Sequence, residues 1–187
     1  MKERSIPFST PMVRSILAGK KTQTRRIVKG QYSGLPHMVG DDVAFLDKGR
    51  RTGPDQRCPY GVPGDRLWVR ETHCAFERGH VHYAADFTRD PKGEREHGVR
   101  WTPSIHMPRW ASRITLEITD VRVERLQEIS EADAIAEGTA PYRLPVHPAR
   151  EALRHVDGYA QLWDSINGAG SWAANPWVWV VSFKPCG

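Results

Sequence analysis

The stretch Gly19-Lys20-Lys21-Thr22-Gln23-Thr24-Arg25-Arg26 decides how the chain is read. It follows a segment of helical spacing and runs into the apolar pair Ile27-Val28. Five cations stand between Lys20 and Lys29 with two threonine hydroxyls among them, so the stretch joins an anion-attracting field to groups that can act as nucleophiles. Upstream, Ser5 to Phe8 can form a short strand, and Thr10-Pro11 supplies an N-cap with proline at the first helical position. Met12, Ile16 and Leu17 then give a helix one apolar face, bordered by Val13, and Gly19 is placed to stop it. The motif therefore sits on a helix-to-strand turn, where Lys21 can fold back while Thr22, Thr24 and Arg26 share one face of the following strand.

Downstream, Lys29 to Asp65 is rich in Gly, Pro and charge, and only Val43 to Leu46 reads as a strand within a long loop region. Pro63-Gly64-Asp65 signals a turn that launches Leu67 to Thr72, with Leu67, Val69 and Glu71 on one face and Trp68 and Arg70 on the other. A ring beside a guanidinium can stack on a nucleobase or simply pack in a core. His82 to Ala85 is a further strand candidate, and Thr88 to Arg100 is polar enough for an exposed loop. Trp101 to Trp110, whose rings are held by Pro103 and Pro108, either lines a site or plugs the open end of a sheet.

Arg113 to Val123 alternates Ile114, Leu116 and Ile118 with polar residues, the pattern of a half-buried antiparallel strand. Ser130 to Asp133 forms a capping box with Asp in the Glu position and opens a short helix that Gly138 can close. Glu137 then falls in its last turn, where a carboxylate opposes the helix dipole. Pro148 to Asn167 is broadly helical, with Asp157-Gly158 as a candidate break, and Trp177 to Phe183 is an apolar closing strand buried on both faces. The sum is an α+β chain, a small mixed barrel-like sheet with two or three packed helices.

A chain of 187 residues suffices for one core burying about two-thirds of the surface its unfolded form exposes, so 1–187 is expected to be a single domain. Lys plus Arg number 27 against 22 Asp plus Glu, for a formal charge of +5 and a pI near 9.3. That excess fits a phosphate-bearing partner or a solvated basic surface equally. Three cysteines without a C-x-x-C pair disfavour a disulfide framework and fit a reducing, cytoplasmic setting. The N-terminus lacks the apolar run of a signal peptide and no apolar stretch is long enough to span a bilayer, so no membrane partner is expected. His73, Cys74, His80 and His82 cluster without a usual zinc spacing, so no metal is expected.

Gly19, Lys21, Thr24 and Arg26 resemble the G-x-K-x-x-E-x-R signature of the ASCH domain family, which has a PUA-like barrel fold, with threonine where the usual glutamate stands. K-x-x-T-x-R is also carried by a small bacterial branch of that family, amidohydrolases that remove acyl groups from the exocyclic amine of cytidine. The resemblance covers roughly 5–28, 61–72, 112–138 and 175–184, leaving insertions at about 29–60 and 73–111. Ser104 to Arg113 is similar to ASCH proteins encoded by phages and prophages. The resemblance implies Lys21, Thr24 and Glu137 as catalytic residues of an enzyme without a cofactor, acting on a modified nucleoside such as acetylcytidine. It also implies a second class, an RNA-binding module or RNA-cleaving variant that uses the basic motif with Trp68, Trp101 or Trp110.

A threonine hydroxyl needs a base, and Lys21 can be that base only when neutral. Burial and the neighbouring Arg25 and Arg26 lower a lysine pKa, whereas a carboxylate set directly on Lys21 would oppose this. Two schemes stay open. In one, Glu137 orients substrate or carries a proton to the leaving amine, with Arg26 or a backbone N–H holding the oxyanion. In the other, Glu137 activates water while Lys21 and Thr24 polarise the carbonyl. Arg26, Trp68 and Glu71 are the candidate substrate contacts, although a salt bridge to an arginine is the commoner fate of a residue like Glu71.

Overall fold

The computed structural model describes residues 1–77, 80–87, 100–141 and 154–186. In chain order, β1 (Glu3–Pro7), α1 (Thr10–Leu17) and β2 (Gln23–Ile27) are followed by four short strands, β3 (Leu35–Val39), β4 (Asp42–Asp47), β5 (Arg50–Arg51) and β6 (Gln56–Arg57). Then come β7 (Arg66–Arg70), the hairpin of β8 (His73–Glu77) and β9 (His80–Tyr83), β10 (Thr115–Arg125), α2 (Glu131–Ala136), α3 (His155–Asn167) and β11 (Trp177–Pro185).

The main sheet has five strands in the order β1-β7-β10-β11-β2, parallel between β1 and β7 and antiparallel elsewhere. It is open, which corrects the expected barrel: β1 and β2 are its two edges and share no ladder. Side chains occupy the gap instead. Arg26 Nη2 donates to the Pro7 carbonyl at 2.8 Å, and the Arg26 guanidinium lies 5.4 Å from the Phe8 ring centroid.

Successive residues of β11 point to opposite faces, and both faces are covered, so the strand reads as a continuous apolar run. Trp179, Val181 and Phe183 pack with Ile6, Phe8, Val13, Ile16 and Leu116 on one side. Val178 and Val180 pack with Leu126, Ala134, Tyr159 and Trp163 under α2 and α3 on the other. Each such large apolar side chain contributes about 1.5–3 kcal/mol by leaving water.

The region 29–65, expected as loop, holds a second sheet. Val43 to Phe45 are buried as the strand expectation requires, but β3 pairs antiparallel with β4, and β5 and β6 add short edges. Phe45 reaches the main core through Trp177, with ring centroids 5.6 Å apart. Elsewhere the capping box at Ser130 is present, with the Asp133 N–H donating to Ser130 Oγ at 3.1 Å. Ser9 rather than Thr10 occupies the N-cap of α1, with proline in the first turn. Helix α3 runs through Gly158 without the expected break. Pro148 to Leu153, and the expected loop from Thr88 up to Gly98 and Val99, lie outside the described residues. No helix among the described residues is long and apolar enough to cross a membrane.

Candidate active site

The Gly19 turn positions the site. Gly19 takes φ +68°, and the N–H groups of Lys20 and Lys21 both donate to the Ser15 carbonyl at 2.9 and 3.0 Å, which turns the chain back beneath α1. From the other side, the Thr22 N–H donates to the Ala136 carbonyl at 2.8 Å and docks the end of α2 on the motif. The three segments meet at Gly138, which has φ +76°; a Cβ there would lie 2.9 Å from Ser15 Cβ and 3.0 Å from Lys21 Cβ. Only glycine allows that crossing. As a result Glu137, expected at a helix end, is 4% exposed and rests on Lys21, itself 1% exposed.

Lys21 Nζ donates to Glu137 Oε2 at 2.7 Å, to the Gln23 carbonyl at 2.8 Å and to the Glu137 carbonyl at 2.9 Å. An ammonium has three N–H donors, so all are used. Burial pulls the Lys21 pKa below its ordinary value, and the Glu137 carboxylate works against that shift. Arg25 holds the other carboxylate oxygen, Nη1 lying 3.3 Å from Glu137 Oε1 and 2.7 Å from Gln23 Oε1. The far side of the same guanidinium forks Glu124 Oε1 at 3.0 and 2.6 Å. Arg122 then joins Glu124 to Asp133 at the surface. The Tyr159 phenol beside Glu137 is pushed well above its ordinary pKa, chiefly by burial and then by that carboxylate.

A cavity of about 150 Å³ opens along β2. Thr24, Arg25, Arg26 and Glu137 line it, with α3 forming one wall through Tyr159, Leu162, Trp163 and Ile166 and Met12 and Tyr60 lying opposite. Because β2 is a sheet edge, residues from both of its faces reach the same space. Thr24 is 3% exposed, and its hydroxyl makes no hydrogen bond among the described residues. Arg26 Nε is a buried donor without an acceptor among the described residues.

Four of the six expected residues therefore converge: Thr24, Arg26 and Glu137 line the cavity, and Lys21 supports Glu137 from behind. Trp68 and Glu71 lie apart from it. The Trp68 ring centroid is 5.6 Å from the Arg70 guanidinium and 5.8 Å from that of Arg109. Glu71 is 1% exposed and held by Arg113 at 2.9 and 3.2 Å, in the arginine salt bridge named as its commoner fate. Arg113 also grips Asp86 and lies 3.9 Å from the Tyr83 ring centroid. Burial raises the Glu71 pKa, with Arg113 opposing.

Sequence reasoning missed Arg25 and Tyr159. The signal for Arg25 was available in the alternation of the strand, which puts Arg25 with Gln23 on the face that α2 covers; Tyr159 read only as one apolar position of a helix. On the β8–β9 hairpin, Cys74 faces His82 and His73 faces Tyr83. Among the described residues no group of three or more His, Cys, Asp and Glu gathers in a way that could hold a metal ion.

No family model matches the chain, and no curated protein matches it. Among solved structures, the crystal structure of hypothetical protein PH0355 aligns with 100% of both chains at a TM-score of 0.43 and 12% sequence identity, a likeness too loose to identify a family or an activity.

Proposed function

We propose that the chain is an ASCH-like amidohydrolase that removes an acyl group from the exocyclic amine of a modified cytidine such as acetylcytidine. The observation that carries this reading is the convergence on one cavity of Thr24, Arg26 and Glu137, with Lys21 bonded to Glu137. These are residues that the resemblance singled out across more than a hundred positions of sequence. The geometry favours the scheme with Glu137 as base. Lys21 has no free donor, and if it passed a proton to Glu137 its lone pair would face that carboxyl rather than Thr24. Glu137 Oε1 is met by Arg25 at a long 3.3 Å with the Tyr159 phenol beside the same carboxylate, and a carboxylate of about four lone-pair sites keeps capacity for a water.

In this reading Glu137 takes a proton from water as the water oxygen bonds to the acyl carbon. The oxyanion accepts from the Thr24 hydroxyl and from Arg26 Nε, donors placed where negative charge develops. The C–N bond then breaks, and Glu137 returns its proton to the departing exocyclic amine, giving the free acid and cytidine. Lys21 and Arg25 fix the carboxylate throughout.

The test is chromatographic hydrolysis of acetylcytidine by wild type beside Glu137→Gln, Thr24→Val and Lys21→Ala. Turnover that falls at least about a hundredfold in Glu137→Gln, the usual scale for losing a general base, and severalfold or more in Thr24→Val supports the reading. Full activity in Glu137→Gln sinks it. The half-buried Trp68 between two guanidiniums, with Trp110 56% exposed, favours a second reading, an RNA-binding surface. Its mark would be an RNA affinity that falls steeply with added salt and is lost in Trp68→Ala.

A further inference from the structure

The edge of β2 carries more than side chains. Along the β2–β11 ladder, the Phe183 N–H donates to the Thr22 carbonyl and the Val28 N–H to the Trp177 carbonyl, while Thr24 faces Val181 and Arg26 faces Trp179. Residues 22, 24, 26 and 28 are thus the ones whose backbone groups point toward β11, because bonded and non-bonded pairs alternate in an antiparallel ladder. Gln23, Arg25 and Ile27 direct their N–H and C=O the other way, off the free edge of the sheet. The Gln23 carbonyl is taken by Lys21. Among the described residues, the backbones of Arg25 and Ile27 bond to nothing outside the ladder, and both residues line the cavity.

We propose that the Arg25 backbone is a base-reading site, taking the edge of a nucleobase through its paired N–H and C=O. In a strand, the N–H and C=O of one residue lie side by side and bond a neighbouring residue through two hydrogen bonds. A planar heterocycle with a ring nitrogen next to an exocyclic N–H offers the complementary pair. Cytosine does so with N3 accepting from the Arg25 N–H and N4–H donating to the Arg25 carbonyl. Acylation of N4 leaves one N4–H in place, so an acylated cytosine keeps the same edge.

The surroundings fit a flat, single-ring ligand. At about 150 Å³ the cavity is smaller than the roughly 300–1,000 Å³ of drug-sized pockets, and the aromatic side chains of Tyr60, Tyr159 and Trp163 stand among its walls. Arg25 adjoins Thr24 and Arg26 in the chain and holds Glu137 through its guanidinium. A ring docked on its backbone therefore brings the exocyclic nitrogen to the end of the cavity where the proposed hydrolysis takes place. The inference rests on the cavity being the substrate site and adds to it what part of the substrate is read.

The test uses the wild-type chain, labelled with nitrogen-15, and nucleosides that cannot be hydrolysed. Amide spectra are recorded while cytidine or 3-deazacytidine is added; the second differs only in replacing the N3 acceptor by C–H. The expected result is movement of the Arg25 and Ile27 amide signals with cytidine and an affinity at least about fivefold weaker for 3-deazacytidine, the effect of leaving one buried donor without its acceptor. Equal affinities overturn the proposal, as do amide signals at Arg25 that stay still at millimolar cytidine. Movement caused only by an extended peptide also overturns it, in favour of strand addition at this edge. Hydrolysis of acetylcytidine is scored separately. A positive spectrum without turnover retires the hydrolase and keeps the base site, and turnover with equal affinities does the reverse.

Discussion

Replacing Lys21 by Met tests the buried pair on which the site is built. The substitution keeps the bulk of the side chain and removes the charge, so two carbonyls, of Gln23 and Glu137, lose their donor and the Glu137 carboxylate keeps only Arg25 and Tyr159. With side-chain exposures of 0% and 3% for the two partners, solvent cannot make good the loss. Breaking a buried pair from one side costs ~3–5 kcal/mol. With a urea slope of about 2 kcal/mol per molar, the unfolding midpoint then drops by roughly 1.5–2.5 M.

Glu137→Gln should cost less, about 1.5–3 kcal/mol for one charge-assisted hydrogen bond. Lys21 keeps two carbonyls there, and Arg25 keeps its contacts with Glu124 and Asp133. The double variant Lys21→Met, Glu137→Gln, which removes both charges, should be more stable than the sum of the single losses requires. Urea titrations followed by tryptophan fluorescence measure all of these. A Lys21→Met protein within about 1 kcal/mol of wild type, or a double variant that shows simple additivity, would refute the account of Lys21 as the structural counter-ion of Glu137.

Other consequences follow from neighbouring features. Gly138→Ala forces a Cβ against Ser15 and Lys21 at positive φ and should cost at least about 2 kcal/mol, the backbone penalty of ~1–2 kcal/mol plus the displaced contacts. Gly64→Ala, at φ +88° with nothing within 4 Å, should cost only the backbone part, and equal thermal shifts in the two variants would contradict the proposed crossing. Glu71 has its pKa raised by burial, so the folded state holds its proton more tightly than the unfolded chain does. Its contribution to stability is complete below the ordinary value of 4.5 and is lost as pH rises through the folded value. The stability difference between wild type and Glu71→Gln, followed by urea midpoints from pH 4 upward, should therefore shrink with rising pH, and growth with pH would reverse the assigned cause.

Much of the main sheet was legible because its strands obey simple periodicities. The alternation of Ile114, Leu116 and Ile118 marked β10, the two-sided apolar run marked β11, and Pro11 with Gly19 bracketed α1. The second sheet was hidden for physical reasons: β3 carries Pro36 and leaves Leu35, Met38 and Val39 exposed, while β5 and β6 are two residues long. Openness of the main sheet was illegible too, since the gap between β1 and β2 is filled by Arg26 and Phe8, and no periodicity distinguishes a ladder from a side-chain bridge. At the site, Lys21, Thr24, Arg26 and Glu137 could be named from the motif and the helix end. For Arg25 the alternation of the strand gave the face but not the task, which comes from Glu124, Glu137 and Asp133, brought to it only by the folded chain.

The free margin of β2 also bears on how the protein would fail. A strand with unused backbone groups is a template for another chain, and here α3 stands in front of it with Tyr159 and Trp163. Substitutions that loosen α3 from its bed of Val178 and Val180 would thus uncover an adhesive border. Their first visible symptom should be self-association of otherwise folded molecules, with loss of ligand following from it.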